Sequence, residues 1–260
     1  TLQPSEFSKI IMIIALAAML EDRVGKLNTV SDILPVVGYV ALPFFLVLKQ
    51  PDLGTSLVFI AILLGMMFVA GVNLRILAAG FAAGIAASPL LWLFLKDYQK
   101  MRLKVFLDPS VDPLGSGYHI IQSKIAIGSG LIFGKGLFGG TQSQLNFLPE
   151  NHTDFIFAVV GEELGFVGAA ALLLLYLVVL WRGVKIARDA SDTFGRLLAV
   201  GITSMLAFHV LVNVGMTTGI MPVTGIPLPL MSYGVSSLTT NLIAITILLN
   251  IHMRKAKFVF

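Results

Sequence analysis

Cysteine is absent from this chain, so neither a disulfide nor a thiolate-held metal can stabilise it. Charge is scarce: Asp, Glu, Lys and Arg make up 12% of the residues, against 57% hydrophobic, and mean hydropathy is +0.91. That excludes an ordinary soluble domain, in which about a quarter of residues are charged. No G-x-x-x-x-G-K-[ST] occurs, which excludes a P-loop engine, and Gly134-Lys-Gly136 is too short to stand in for one. No Asp-x-Asp pair is available to hold a metal-bound nucleotide sugar. The four histidines, His119, His152, His209 and His252, are scattered without metal-ligand spacing. Nothing in the chain asks for nucleic acid as a partner.

What is present in quantity is long apolar sequence. A hydrocarbon core of ~30 Å needs roughly 20 residues of helix. Seven candidate runs occur, at about 7–20, 33–48, 55–69, 76–95, 155–181, 197–220 and 233–251. They are continuous rather than alternating, so helices and not barrel strands are expected. The fold class expected is an all-α, polytopic membrane helix bundle. Starting at Thr1 with an odd number of spans and no initiator Met, the chain reads as the C-terminal part of a larger membrane protein. Placing the first helix start outside puts Arg23, Lys26, Arg75, Arg182, Lys185, Arg188, Arg196, Arg254, Lys255 and Lys257 inside, a clear positive-inside bias.

One large extracytoplasmic insertion, residues 96–153, interrupts a chain otherwise read as a single domain over 1–260. Asp108-Pro109, Asp112-Pro113 and Leu114-Gly-Ser-Gly117 are turn signals, Ile120–Ile127 suits a short amphipathic helix, and 128–140 is a glycine-rich coil. Long loops in compact proteins are usually functional or disordered, and Tyr118, Phe133, Phe138 and Phe147 argue for order. A second irregular piece, Met221–Gly234, holds three prolines and is apolar. Non-helical backbone at membrane depth survives when buried in protein or lining a wet cavity. It therefore reads either as a re-entrant wall of a binding cavity or as a tight interhelical turn.

The polar residues worth chemistry lie near one face. His152-Thr-Asp154 precedes Gly161-Glu162-Glu163-Leu-Gly165 at the mouth of the fifth run, and a carboxylate at a membrane boundary is costly unless hydrated, paired or used. For Glu162 and Glu163 an acidic helix cap explains as much as a site does. His152 is placed to orient Asp154, or is a solvated loop histidine. Gln142, Gln144 and Glu150 populate the preceding loop. Glu6 and Lys9 are three apart and can pair on one helix face. Asp52, after Gln50-Pro51, also reads as an N-cap. Six basic residues in the insertion include Arg102, Lys104 and Lys124, which suit an anionic lipid-linked ligand or anionic headgroups.

Several stretches, in order along the chain, resemble the SEDS family (shape, elongation, division, sporulation). They are Gln3-Pro4-Ser5-Glu6, Gln50-Pro-Asp-Leu-Gly-Thr55, Gly117-Tyr-His-Ile-Ile-Gln122, Gly139-Gly-Thr-Gln-Ser-Gln144, Leu148-Pro-Glu150 through Gly165, and Pro227-Leu-Pro-Leu-Met-Ser232-Tyr-Gly234. The Gly-Thr-Gln-Ser-Gln and Gly-Tyr-His forms resemble the RodA-like elongation branch rather than the FtsW-like division branch. The sequence departs from the family pattern at Val235 and at Leu131-Ile132, where glycine is common. The resemblance implies a ten-helix bundle of which this chain lacks roughly the first three, in the bacterial cytoplasmic membrane with an extracytoplasmic active face.

The activity implied is peptidoglycan glycosyl transfer: polymerisation of lipid II into β-1,4 glycan strands during elongation. The implied partners are lipid II, the nascent lipid-linked glycan, a class B penicillin-binding protein as transpeptidase, the elongation machinery and membrane lipid. By motif, the essential aspartate falls on Asp154 and conserved polar groups on Glu6, Lys9 and Asp52; Ser232 lies in the last motif. An α-linked donor giving a β product inverts, so one carboxylate is needed as base and cations at the departing pyrophosphate. Arg102, Lys104 and Lys124 are the candidates for the latter. A divalent cation, magnesium or manganese, is compatible with a pyrophosphate, although no ligand set is visible. The alternative function is a lipid II flippase. That would need a polar path to both leaflets, whereas the acidic candidates cluster at one.

Overall fold

The computed structural model describes residues 3–113, 115–145 and 147–255. Its regular elements in this range are all helices: α1 Pro4–Glu21, α2 Val30–Lys49, α3 Leu53–Val69, α4 Leu74–Phe94, α5 Asp97–Leu107, α6 Ser116–Ser129, α7 Thr141–Gln144, α8 Ile156–Asp189, α9 Thr193–Thr218 and α10 Val235–Lys255. Each of the seven apolar runs falls on a helix, the fifth on one that is broken. By length and composition α2, α8, α9 and α10 can cross a membrane, while α3 and α4 offer shorter apolar stretches. α1 carries Glu6, Lys9 and Glu21 within its 18 residues. The chain is an all-helical polytopic membrane protein.

The helices gather into two compact units. The first takes residues 3–88, 179–208 and 235–255; the second takes 89–178 and 209–234. In the first, Leu16 and Leu20 of α1, Phe59, Ile62 and Met66 of α3, and Leu197, Ile202 and Met205 of α9 are almost fully buried. Local sequence sets the helix starts. Pro4 opens α1, where a missing N–H costs nothing. Thr29 and Asp32 form a capping box at α2, and Asp52 accepts from the Thr55 N–H at 2.9 Å to cap α3.

The second unit contains the insertion, which is ordered into α5, a 3-10 turn at Pro109–Val111, α6 and α7. The helix expected at Ile120–Ile127 is longer, because Gly115 and Gly130 rather than the apolar run bound it. Leu148, Phe155, Ala126 and Ala158 pack together, and so do Phe157, Tyr176, Val210 and Leu228.

The fifth apolar run is not one straight helix. α8 breaks at Gly165, with φ 64° and ψ −164°. A broken helix at membrane depth leaves polar backbone groups unsatisfied, at several kcal/mol each in hydrocarbon. Here the glycine-rich coil supplies the missing partners. Lys135 and Gly136 N–H donate to the carbonyls of Glu162 and Glu163 at 3.1 and 3.0 Å, and Phe166 and Val167 N–H donate to those of Leu131 and Ile132 at 2.9 and 3.1 Å. Any side chain at Gly165 would collide with the backbone of Ile132 and Gly134, and one at Gly134 with Glu163. The departure from glycine at Leu131 has a visible cost, since that residue sits at φ 49°, a conformation glycine adopts freely. Val235 has none, because it simply begins α10.

Candidate functional site

Asp154 lies in the turn before α8, where its backbone is held from three sides. The Tyr233 N–H donates to the His152 carbonyl at 2.8 Å, the Ser232 hydroxyl to the Thr153 carbonyl at 2.6 Å, and the Asn213 side-chain amide to the Asp154 carbonyl at 2.8 Å. Three consecutive carbonyls are thus satisfied by α9 and the proline-rich segment. That segment is non-helical, as its prolines demand, and is tied to α9 and α8 in turn. The Asn213 amide also donates to the Ile226 carbonyl at 2.7 Å, and the Tyr176 hydroxyl donates to that of Pro229 at 2.5 Å. These contacts make Met221–Gly234 a packed segment that holds the turn carrying Asp154. Asp154 Oδ2 stands 3.4 Å from where a Cβ on Gly225 would be, so the carboxylate rests on a glycine at φ 75°.

Glu162 does not cap its own helix. Its carboxylate, wholly buried, lies at the start of α7 and accepts from the Gln142 and Ser143 N–H at 2.9 and 3.0 Å. The Lys135 ammonium pairs with it at 2.8 Å and also donates to the Thr141 hydroxyl. Two backbone donors and a cation that itself reaches solvent thus satisfy the one buried charge, that of Glu162. The consequence reaches toward Asp154. The Ser143 carbonyl accepts from the Asn151 amide at 2.8 Å, and the Leu148 N–H donates to the Gln142 carbonyl at 3.1 Å, so α7 holds the 148–151 stretch that leads into the aspartate.

The remaining candidates are placed as follows. Ser232, 7% exposed, also accepts from the Leu228 N–H, so its hydroxyl acts as a backbone clip. His152 Nδ1 meets Asn151 Oδ1 at 2.9 Å and its ring meets Tyr233, which ties it to the proline-rich segment. Glu150, at φ 52°, accepts from the Thr153 hydroxyl at 2.9 Å. Gln142 works through its backbone, while the Gln144 amide reaches Glu163 at 3.4 Å. Lys124 is exposed and lies over Gly219, just beyond the C-terminus of α9, where a cation is favoured. On α5, Arg102 lies 6.0 Å from the Tyr98 ring centroid and Lys104 is exposed.

Glu6, Lys9 and Asp52 belong to the other unit. Glu6 and Lys9 form a buried pair at 2.7 Å, as their spacing predicts, and Asp52 is near enough to act on the Lys9 ammonium while capping α3. Among the described residues no group of three His, Asp or Glu gathers as a metal site.

Sequence reasoning passed over Asn213 and Lys135. Asn213 had a usable signal: an amide inside a 26-residue apolar helix needs buried partners. Lys135 had none, because it sits in a coil and its partner is 27 positions away.

A model of the FtsW/RodA/SpoVE family, described as cell cycle protein, matches residues 1–257. The peptidoglycan glycosyltransferase MrdB of Escherichia coli (strain K12) is 47% identical over 254 residues, covering 97% of this chain and 68% of that protein. Stage V sporulation protein E of Bacillus subtilis (strain 168) is 46% identical over 253 residues, covering 96% and 68%. A structure described as the structural coordination of polymerization and crosslinking by a peptidoglycan synthase complex superposes with a TM-score of 0.81 at 36% identity, covering 98% of this chain and 71% of that one. The chain belongs to the FtsW/RodA/SpoVE family of cell cycle proteins.

Proposed function

We propose that this chain is a RodA-like peptidoglycan glycosyltransferase that polymerises lipid II into β-1,4-linked glycan during cell elongation, with Asp154 as general base. The observation that carries the reading is the cradle of Asp154. A base must be held at hydrogen-bond distance from the hydroxyl it deprotonates, and here the backbone on both sides of that carboxylate is clamped by Tyr233, Ser232 and Asn213. In the step proposed, the 4-hydroxyl of the acceptor sugar attacks the donor anomeric carbon from the face opposite the pyrophosphate. The new C–O bond forms as the bond to undecaprenyl pyrophosphate breaks. Asp154 takes the hydroxyl proton, and the leaving group carries away the electron pair. Arg102, Lys104 and Lys124 are proposed to neutralise the pyrophosphates, with a divalent cation as an assistant where one binds.

The same reading treats the whole chain as one functional domain of the bacterial cytoplasmic membrane, with the insertion outside and a class B penicillin-binding protein as crosslinking partner. MrdB is named as an enzyme of this activity, and the superposed complex is described as coordinating polymerisation with crosslinking. The test is polymerisation of purified, labelled lipid II by the protein with that partner. Asp154→Asn keeps the shape and removes the proton acceptor, so polymer should disappear while the complex still forms. Wild-type polymer from Asp154→Asn would remove the assignment. Transbilayer movement of lipid II without any polymer from the wild type would replace it with the flippase.

A further inference from the structure

The end of α8, the start of α9 and the end of α3 enclose a groove of about 440 Å³ within the first unit. Its body is lined by Phe68, Val184, Val200 and Ser204, and its mouth by Arg188 and Arg196. Small residues bring the helices together above it: a side chain at Gly65 would collide with Ser204, and one at Gly183 with Thr203. From Arg196 to Ser204 the groove follows eight residues of α9, about 12 Å at 1.5 Å per residue. A shallower hollow of about 170 Å³, lined by Trp181, Val184, Lys185 and Arg188, shares Val184 and Arg188 with the groove.

The mouth is basic and built for an interface. Arg182 and Lys185 lie 5.6 and 5.7 Å from the Trp181 ring centroid, and Trp181 is itself 58% exposed. The Arg188 side chain is 78% exposed and touches Asp189 only at 3.5 Å. Asp192 is occupied in capping α9, where it accepts from the Gly195 N–H at 2.9 Å. Four cations against two carboxylates leave a positive rim around an apolar slot that opens at a membrane-helix end. Trp and basic side chains at that level are the groups that meet lipid headgroups, and basic residues near an anionic bilayer surface are attracted to it.

We propose that this groove is a binding site for an anionic glycerophospholipid, with an acyl chain between α3, α8 and α9 and the headgroup phosphate between Arg188, Lys185 and Arg196. The site lies apart from Asp154 in sequence and chemistry, and it stands or falls independently of the glycosyltransferase reading. Charge complementarity selects the anionic headgroup, and the apolar depth selects a lipid over free phosphate.

Native mass spectrometry of the detergent-solubilised chain tests it, with phosphatidylglycerol and phosphatidylcholine of equal chain length as probes. The expected result is one retained phosphatidylglycerol at least fivefold in excess of phosphatidylcholine. The double variant Arg188→Ala/Arg196→Ala should bring the two to parity. Val200→Trp fills the groove without altering charge and should also abolish the preference. Arg75→Ala/Arg254→Ala, which removes exposed basic residues at other helix ends, should leave it intact. Wild-type retention in either groove variant would overturn the proposal, as would equal loss in the Arg75/Arg254 control. Displacement of phosphatidylglycerol by equimolar undecaprenyl phosphate would overturn the choice of lipid.

Discussion

Asn213 donates to the backbone carbonyl of Asp154 at 2.8 Å from a position 59 residues away in the chain, and the same amide nitrogen reaches Ile226 at 2.7 Å. One wholly buried side chain on α9 thereby fixes both the turn that carries the carboxylate and the segment beneath it. Asn213 is a positioning residue: it touches backbone, and it acts through Asp154.

Replacing Asn213 by Asp keeps the volume and removes the donor, leaving two buried carbonyls facing an acceptor. Each unsatisfied buried group costs about 1–3 kcal/mol. The turnover of polymerisation should fall on the order of tenfold, which corresponds to about 1.4 kcal/mol in the transition state. The apparent KM for lipid II should move less than twofold, because the contact is to the base and not to substrate. Equal loss in both parameters, tracking a lowered melting temperature, would reduce Asn213 to a structural role.

Gly225→Ala tests the floor under Asp154. Alanine at φ 75° costs about 1–2 kcal/mol of backbone strain, and its Cβ would stand 3.4 Å from Asp154 Oδ2. Gly25→Ala is the control: it has nearly the same φ, 74°, and nothing within 4 Å of the new Cβ. Both variants should lose similar thermal stability in detergent. At that distance the methyl touches the carboxylate without displacing it and screens it from water, so Gly225→Ala should lower polymerisation in part while Gly25→Ala leaves it unchanged, and comparable activity in the two would show that the carboxylate does not depend on this contact.

The Glu162–Lys135 pair predicts a thermodynamic cycle. Glu162→Gln weakens the acceptor of two backbone N–H groups, while the Lys135 ammonium, which reaches solvent, regains water; the loss should be about 1–3 kcal/mol. Lys135→Met should cost less, because the Gln142 and Ser143 N–H groups still solvate the carboxylate. The double variant should be more stable than the sum of the singles implies, measured by thermal unfolding of the four proteins. Simple additivity would mean the two charges act separately.

His119 gives the insertion a pH dependence. Its ring stacks on Phe155 with centroids 5.9 Å apart. Burial holds its pKa below the ordinary imidazole value, against the opposing pull of Glu150 and Asp112. A histidine depressed in the folded state binds fewer protons than when unfolded. Its stability contribution is therefore full above the unfolded pKa, about 6.5, and is lost as pH falls through the lower folded value. The melting temperature should decline from pH 7 toward pH 5. His119→Phe, which keeps an aromatic partner for Phe155, should flatten part of that decline. An unchanged slope would assign the pH response to other groups.

Most of the helical scaffold was legible before any coordinates. Apolar runs set by bilayer thickness recur as α1 to α4 and α8 to α10, and local capping chemistry at Asp52 and pairing at Glu6 and Lys9 follow from spacings of three residues. The motif resemblance pointed to the family and singled out Asp154. These features depend on neighbours in sequence, or on composition over a window, and so survive being read in one dimension. The break of α8 at Gly165 did not, because continuous hydrophobicity looks the same whether a helix is whole or interrupted. Nor did the roles of Glu162, Lys135, Ser232 and Asn213. The contacts Glu162–Ser143, Glu162–Lys135, Asn213–Asp154 and Ser232–Thr153 span 19, 27, 59 and 79 positions, and only the folded chain decides which buried donor meets which acceptor. The sequence by itself determined the solvent, the helices and the acid; the tertiary structure decided what holds that acid still, because buried polar groups must be satisfied by whatever packing brings within about 3 Å.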